Sequence, residues 1–192
     1  LSADGARWRP DLVTLNIGSR GNTGFEIRLQ TAAQDLHSGR YGGIVSNPIH
    51  VLSTLIAGLH DEHGHITAPG FYDGVLEPTQ EERTEIAAIP YDEKSAFASI
   101  DAEPSGEAGY STLERLWMRP TLDVNGMWGG YTGAGSKTVI PNEAFAKLTM
   151  RLVPGQDPQY AKQAVIDHLT ARLPAGTTLK IYGDRGQGGA YS

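Results

Sequence analysis

The stretch EAFAKLTMRLVPGQDPQYAKQAVIDHLTARLPAGTTLKIYG, residues 143–183, decides the fold class. Its first part, residues 143–153, places apolar side chains at alternate positions, which is typical of a strand with one buried face. Residues 157–173 begin with an acidic cap and a proline in the first turn, which predicts a helix. Residues 177–183 read as another strand. The stretch therefore predicts a strand, a helix and a second strand.

The amino-terminal half of the chain predicts a matching unit. Residues 23–33 alternate between apolar and polar side chains, which indicates a half-buried strand. Residues 46–64 predict a helix that ends at Gly64, because glycine commonly follows the last helical turn. Residues 121–128 predict one further strand, so the core order is β-α-β-β-α-β with an interruption after the first helix.

The interruption is residues 66–120, which contain five prolines. Two capping boxes, Thr79 with Glu82 and Ser111 with Glu114, predict short helices within it. We expect a largely helical excursion inserted into the core. The predicted fold is an α+β two-layer sandwich: a four-stranded antiparallel sheet with two helices on one face (split βαβ, ferredoxin-like).

Composition limits the classes of function. The chain has 192 residues, a net charge of −6 and no cysteine. Thiol catalysis, disulfides and cysteine–zinc sites are therefore excluded. The acidic balance and the absence of a long basic run argue against nucleic acid or an anionic membrane as partner. No apolar run approaches the roughly 18 residues of a membrane span. We expect one domain over residues 1–192, with the cytoplasm as the default compartment.

Two isolated residues are open to more than one interpretation. His37, in DLHSGRYGG (residues 35–43), is a possible base, metal ligand or hydrogen-bond donor to an oxyanion. By itself its sequence context favours a structural role at a turn. Arg151 lies on the sheet face without helices, where it is either a solvated surface group or a bidentate clamp for a carboxylate.

The glycine-rich segment GYTGAGSKT, residues 130–138, superficially resembles a phosphate-binding loop. Ser136 separates Gly135 from Lys137, and the segment leads into a strand instead of a helix, so nucleotide binding is rejected. The backbone N–H groups of such a loop, with the hydroxyl of Thr138, can still hold a carbonyl or a carboxylate. An ordinary wide hairpin connection is the alternative.

Three histidines, His60, His63 and His65, form the strongest candidate for a metal site. The alternative is a polar helix end, where histidines suit the negative end of the helix dipole. The second interpretation is favoured, because no matched carboxylate cluster completes a tetrahedral site. No metal ligand is therefore assigned in this chain.

Three segments together resemble a known family. They are DLHSGRYGG after a strand, GFYDGV (residues 70–75) and GAGSKTVIPNEAFAKLTMRLVPGQDP (residues 133–158). The resemblance is to the lid, or dimerisation, domain of the zinc metallopeptidases that include carnosinases and related dipeptidases. Aminoacylases and acetylornithine deacetylases are more distant members. It spans roughly residues 10–190, and GFYDGV points to the dipeptidase branch.

The resemblance implies a larger enzyme. In the family, the lid domain is inserted into a catalytic domain that holds two zinc ions, and the enzyme is a homodimer. The His-x-Asp motif and the metal-binding Glu-Glu pair of that catalytic domain are not recognisable here. We therefore expect a fragment that alone holds no metal and is inactive. The implied substrate of the parent enzyme is a small peptide or an N-acyl amino acid.

The resemblance also implies roles for five residues. His37 would donate a hydrogen bond to the tetrahedral oxyanion in the partner's active site. Thr138 would contact the partner's substrate, and Arg151 would bind the substrate's terminal carboxylate. Gly133 and Gly135 would lie in a loop beside the substrate. A stand-alone oligomerisation or binding module that keeps the fold without the chemistry is the alternative.

Overall fold

The computed structural model describes residues 17–192, apart from the side chains of residues 184–187. Residues 1–16, which the predicted domain includes, lie outside the described residues. Within the described part no helix is both long and apolar enough to cross a bilayer. The elements follow in this chain order: β1 (Gly21–Gln30), β2 (Leu36–His37), α1 (Ser38–Tyr41), α2 (Pro48–Ala57), α3 (Gln80–Ala87), α4 (Glu93–Ala98), α5 (Thr112–Met118), β3 (Thr121–Gly129), β4 (Val139–Ile140), β5 (Glu143–Leu152), α6 (Pro158–Ala171) and β6 (Thr178–Gly188).

Four strands form one sheet in the order β3-β5-β1-β6. Every neighbouring pair in it is antiparallel. Strands β2 and β4 pair separately as a short two-stranded ribbon. The order places the first and third core strands at the centre, which is the arrangement of a split βαβ sandwich. The predicted α+β fold with a four-stranded antiparallel sheet is confirmed.

Apolar side chains at alternate positions of β1 and β5 form the core. The side chains predicted to face inward from these strands are almost fully buried, and α2 and α6 cover them. The largest contributors are Phe25, Ile27, Leu29, Leu148, Met150 and Leu152 from the strands, with Leu52, Leu55, Val165 and Leu169 from the helices. Burial of each large apolar side chain contributes roughly 1.5–3 kcal/mol. This single apolar layer fixes the register of the sheet, because a slip by one residue would expose it.

The excursion contains the predicted short helices. Both capping boxes are present: Thr79 and Glu82 cap each other at the start of α3, and Ser111 and Glu114 do the same at α5. In each box the hydroxyl accepts a backbone N–H, while the carboxylate accepts the N–H of the cap residue. Local capping therefore sets where two of the short helices in the excursion begin.

The segment GFYDGV attaches the excursion to the core. Phe71 is 1% exposed. Its carbonyl oxygen accepts a hydrogen bond of 2.7 Å from Gln156 Nε2. Gly74 and Gly155 pack back to back, so that a Cβ at Gly74 would lie 2.1 Å from the Gly155 oxygen. Only glycine permits this approach at the positive φ of both residues. GFYDGV therefore has a structural role.

An ion network centred on the buried Arg119 links separate parts of the excursion. Arg119, whose side chain is 4% exposed, donates to both carboxylate oxygens of Glu107, each at 2.8 Å. It also donates to Glu77 at 2.9 Å and stacks on Tyr110, with 4.3 Å to the ring centroid. Burial raises the pKa of Tyr110 to about 12. Because Arg119 and Glu107 are paired with each other, the burial of these two charges is tolerated.

The two largest errors in the predicted boundaries concern the first helix and the last strand. The helix expected over residues 46–64 ends at Ala57. Asp61 Oδ1 accepts the N–H groups of His63 and His65, both at 2.9 Å, which forms a turn where the helix was expected to continue.

The last strand was predicted to end at residue 183. Strand β6 instead runs to Gly188, and it follows β1 through two register shifts. The shifts and the positive φ of Gly183 explain why this part of the chain lacks a regular alternation.

Candidate functional site at the β2–β4 ribbon

The β2–β4 ribbon positions His37 at an exposed corner of the molecule. His37 pairs with Val139 across the ribbon. The next residue, Ser38, donates its N–H to the Thr138 carbonyl at 3.0 Å. These backbone bonds join two segments that are about a hundred residues apart in the chain, so the ribbon is a tertiary feature.

Asp35 closes the base of the ribbon. Its Oδ1 accepts the N–H of Asn142 at 3.0 Å. The carbonyl of Asn142 in turn accepts the N–H of Thr31 at 2.9 Å. The ribbon is therefore fixed to the ends of β1 and β5. Sequence reasoning overlooked Asp35, and the available signal was an acidic residue two positions before the candidate histidine.

The structure brings together His37 and Thr138, two of the five predicted site residues. His37 Nε2 lies 3.3 Å from Thr138 Oγ1. His37 Nδ1 accepts the Gly39 N–H at 3.0 Å, and in this way His37 caps α1. Both side chains are exposed. Within the described residues, the Thr138 hydroxyl makes no other hydrogen bond.

The glycine loop before Thr138 folds around Tyr131. The Tyr131 hydroxyl donates to the Ala134 carbonyl at 2.9 Å. A Cβ at Gly133 would lie 2.5 Å from that hydroxyl, so any other residue there would displace the tyrosine ring. Gly135 has a φ of +75° and no neighbour within 4 Å of its Cβ position. The two predicted glycines shape the loop, and they leave its outer surface open.

Arg151 lies at the opposite end of the sheet from His37. It is an exposed residue near the end of β5, paired with Asn22 on β1. Arg20 is nearby: burial lowers the pKa of its guanidinium, and the positive charge of Arg151 lowers that pKa further. The part of β5 from Glu143 to Arg151 is about 27 Å long, given a rise of about 3.4 Å per residue. Since the ribbon joins at the Glu143 end, the structure does not bring Arg151 to His37.

The three histidines considered as metal ligands lie in the turn after α2. His65 Nδ1 donates to Glu107 at 2.9 Å and its ring stacks on Tyr72. Although burial opposes ionisation of Glu107, the hydrogen bonds from Arg119 and His65 lower its pKa. Among the side chains that the structure describes, no group of three or more potential metal ligands is present.

The exposed His37–Thr138 corner has a definite chemical capability. An imidazole N–H and a hydroxyl are both hydrogen-bond donors, and here they lie side by side. No carboxylate among the described side chains forms a hydrogen bond with either of them. Two such donors can hold an oxygen atom that carries or develops negative charge.

Comparison with known proteins places this geometry in a family. The family model described as "Peptidase dimerisation domain" matches residues 17–177. The match includes the ribbon, the glycine loop, Arg151 and the excursion.

Individual relatives agree with the family match. The Beta-Ala-His dipeptidase of Rattus norvegicus is 36% identical over 158 residues, which cover 82% of this chain and 32% of the relative. The Cys-Gly metallodipeptidase dug1 of Schizosaccharomyces pombe is 35% identical over 160 residues, covering 81% of this chain and 33% of the relative. The crystal structure of human carnosine dipeptidase 1 superposes with a TM-score of 0.74 at 30% identity, covering 91% of this chain and 38% of that chain. This chain thus spans about a third of the length of the curated relatives it matches.

Proposed function

The chain belongs to the peptidase dimerisation domain family, and from this we propose that it is the dimerisation and substrate-binding lid of a longer metal-dependent dipeptidase. The relatives named as dipeptidases are about three times as long as their matched part. In this proposal the catalytic domain, with two zinc ions, belongs to parts of the parent enzyme that this chain does not contain. The ions would supply the activated water for hydrolysis. The chain alone is expected to be inactive.

The observation that carries the proposal is the contact between His37 and Thr138. Their side chains come from segments 101 residues apart and meet 3.3 Å from each other on an exposed corner. In the proposed enzyme, His37 donates its ring N–H to the oxygen that becomes negative when the scissile carbonyl is attacked. A fixed donor of this kind typically contributes about 10²–10³ to turnover. Thr138 and the loop containing Gly133 and Gly135 would lie against the substrate beside it.

Arg151 is proposed to bind the terminal carboxylate of the substrate. An arginine can hold a carboxylate through two parallel hydrogen bonds, which offsets the cost of removing that charge from water. A small peptide or an N-acyl amino acid presents such a carboxylate next to the scissile amide. Both are therefore suitable substrates for the proposed site.

A single copy of this chain cannot place His37 and Arg151 on one small substrate. About 27 Å of β5 separates Arg151 from the end that carries the ribbon, whereas a dipeptide spans at most about 7 Å. The proposed site therefore takes Arg151 from one subunit and the His37–Thr138 corner from the partner. This arrangement makes activity depend on dimerisation.

Strand β3 is the proposed contact between subunits. It is an edge of the sheet, and its Val124 and Met127 are 41% and 39% exposed although they lie on the helix-covered face. Edge strands pair readily with a second copy. An antiparallel pairing about a two-fold axis would set the Gly129 end of one copy beside the Thr121 end of the other. Because Thr121 pairs with Arg151 on β5, the partner's ribbon would lie at the end of the sheet that carries Arg151.

The test is complementation between two inactive forms of the complete enzyme. Subunits with His37→Ala are combined with subunits that carry Arg151→Ala, each with a different affinity tag, and the mixed dimers are purified. One of the two sites in a mixed dimer then has both residues intact. We expect each homodimer to hydrolyse a dipeptide at least tenfold more slowly than the wild type and the mixed dimer to regain about half of the wild-type turnover.

A matched control pairs His37→Ala with a subunit that carries both substitutions. That mixed dimer has no intact site in the proposed arrangement, so its turnover stays low. The proposal is wrong if the first mixed dimer shows no recovery, or if His37→Ala alone leaves turnover unchanged.

A further inference from the structure

We propose that Gly39 is a positioning residue that fixes the tautomer of His37, with the ring hydrogen on Nε2. The catalytic consequence of this inference rests on the proposed function of His37. The tautomer itself is a property of the chain and can be measured without any enzyme assay.

The hydrogen-bond geometry determines the tautomer. The Gly39 N–H points at His37 Nδ1, with 3.0 Å between the nitrogen atoms. A backbone N–H can only donate, so Nδ1 must be the unprotonated ring nitrogen. A neutral imidazole has one donor and one acceptor nitrogen, and Nε2 therefore carries the hydrogen. The oxygen of Thr138, 3.3 Å from Nε2, is the acceptor.

The close packing of the ring explains why residue 39 is glycine. A Cβ at this position would lie 2.9 Å from Cε1 and 3.2 Å from Nδ1 of His37. The first distance is shorter than real Cβ contacts allow, so any other residue would displace the ring. Gly39 is not among the residues with positive φ. Its lack of a side chain therefore serves the contact with His37 and not an unusual backbone conformation.

This contact matters because only one tautomer suits an oxyanion. With the hydrogen on Nε2, the nitrogen that faces Thr138 is a donor and stabilises a negative oxygen. The other tautomer would present a lone pair in the same direction. The present bond to Thr138 is long and exposed, so a substrate oxygen can replace the threonine as acceptor at small cost. The chain thus holds a hydrogen-bond donor ready at its surface.

Nitrogen-15 NMR of the labelled 192-residue chain tests the tautomer. The chain has six histidines, and the signals of His37 are identified by their loss in His37→Asn. At a pH where the ring is neutral, we expect a pyridine-type shift at Nδ1 and a pyrrole-type shift at Nε2. A pyrrole-type Nδ1, or two averaged shifts, would overturn the inference.

A variant pair then tests the role of Gly39. Gly39→Ala keeps the N–H but displaces the ring, so we expect the two ring shifts of His37 to move towards the averaged values. Gly189→Ala is the control, since a Cβ there meets no atom within 4 Å. Unchanged His37 shifts in Gly39→Ala would mean that the glycine does not position the ring.

In the complete enzyme, Gly39→Ala is expected to lower kcat about ten- to a hundredfold, the scale of a misplaced catalytic group, with KM little changed. The same substitution added to His37→Ala should have no further effect. If the tautomer is as inferred but His37→Ala has wild-type turnover, the proposed function fails and the positioning by Gly39 stands. A further loss in the double variant would mean that Gly39 acts on something other than His37.

Discussion

Two histidines in this molecule make the same pair of contacts in opposite surroundings. His37 accepts at Nδ1 and meets the hydroxyl of Thr138 at Nε2. His168 also accepts at Nδ1, from Arg172 at 2.9 Å, and meets the hydroxyl of Thr67 at Nε2, at 3.2 Å. His168 is 3% exposed, whereas His37 lies at the surface.

The two pairs differ in whether the threonine hydroxyl makes a second hydrogen bond. Thr67 donates its own hydrogen to the Gly58 carbonyl at 2.6 Å, so every polar atom of the buried pair is committed within the fold. Thr138 makes no such second bond within the described residues. A buried pair of this kind stabilises the contact between α6 and the start of the excursion. The exposed pair keeps its donors available, which is what a binding site requires.

The largest expected effect is on the buried pair. His168→Ala removes a buried ring together with its hydrogen bonds to Thr67 and Arg172, and it leaves a cavity in place of the ring. We expect the free energy of unfolding to fall by roughly 2–4 kcal/mol, as for other buried residues that also lose hydrogen bonds. Urea denaturation, with an unchanged slope against denaturant, measures it.

A loss under about 1 kcal/mol in that measurement would mean that the buried pair contributes little. Burial would then not distinguish the two histidines in their contribution to stability.

The second effect is a dependence of stability on pH. Burial lowers the pKa of His168, and the charge of Arg172 lowers it further, because the fold requires the neutral ring. The unfolded chain therefore takes up a proton first, near the ordinary histidine pKa of about 6.5. Stability should fall as the pH drops from about 6.5 towards the lowered pKa, and the part due to His168 can change by at most about 1.4 kcal/mol per pH unit.

Denaturation curves between pH 5 and 7.5 test this dependence. His168→Gln removes the titrating group, so the stability of that variant should depend less on pH than that of the wild type. His60 also has a pKa that burial lowers, although the nearby Asp123 and Asp61 oppose the shift. It is present in both proteins, so the difference between their pH dependences belongs to His168. An equal pH dependence in wild type and His168→Gln would contradict the assignment to His168.

The two pairs also differ in how far the sequence predicted them. The alternation of residues 143–153 predicted β5, and hence the side of the sheet on which Arg151 lies. The resemblance to the peptidase family singled out His37 and Thr138, but no local pattern indicated that they touch. Their contact depends on pairing between β2 and β4, whose residues are about a hundred positions apart. Such pairing leaves no periodic signal in either segment.

Other structural features could not be predicted from the sequence for similar reasons. The helix α2 ends early because the carboxylate of Asp61 accepts two backbone N–H groups, an effect of one side chain that apolar periodicity does not reveal. The hydrogen bond between His168 and Thr67 joins α6 to the loop after α2. The sequence placed His168 on a helix, but its partner became known only from the fold.

The smallest expected change in stability belongs to the exposed pair. His37→Ala removes an exposed ring, while the backbone bonds of the ribbon and the contact of Asp35 with Asn142 remain. We expect the free energy of unfolding of this chain to change by less than about 0.5 kcal/mol, as for most surface substitutions. In the complete enzyme the same change is expected to cost two to three powers of ten in turnover. A residue that matters to turnover and not to stability acts on the substrate, whereas a stability loss comparable to that of His168→Ala would make His37 a structural residue of the corner.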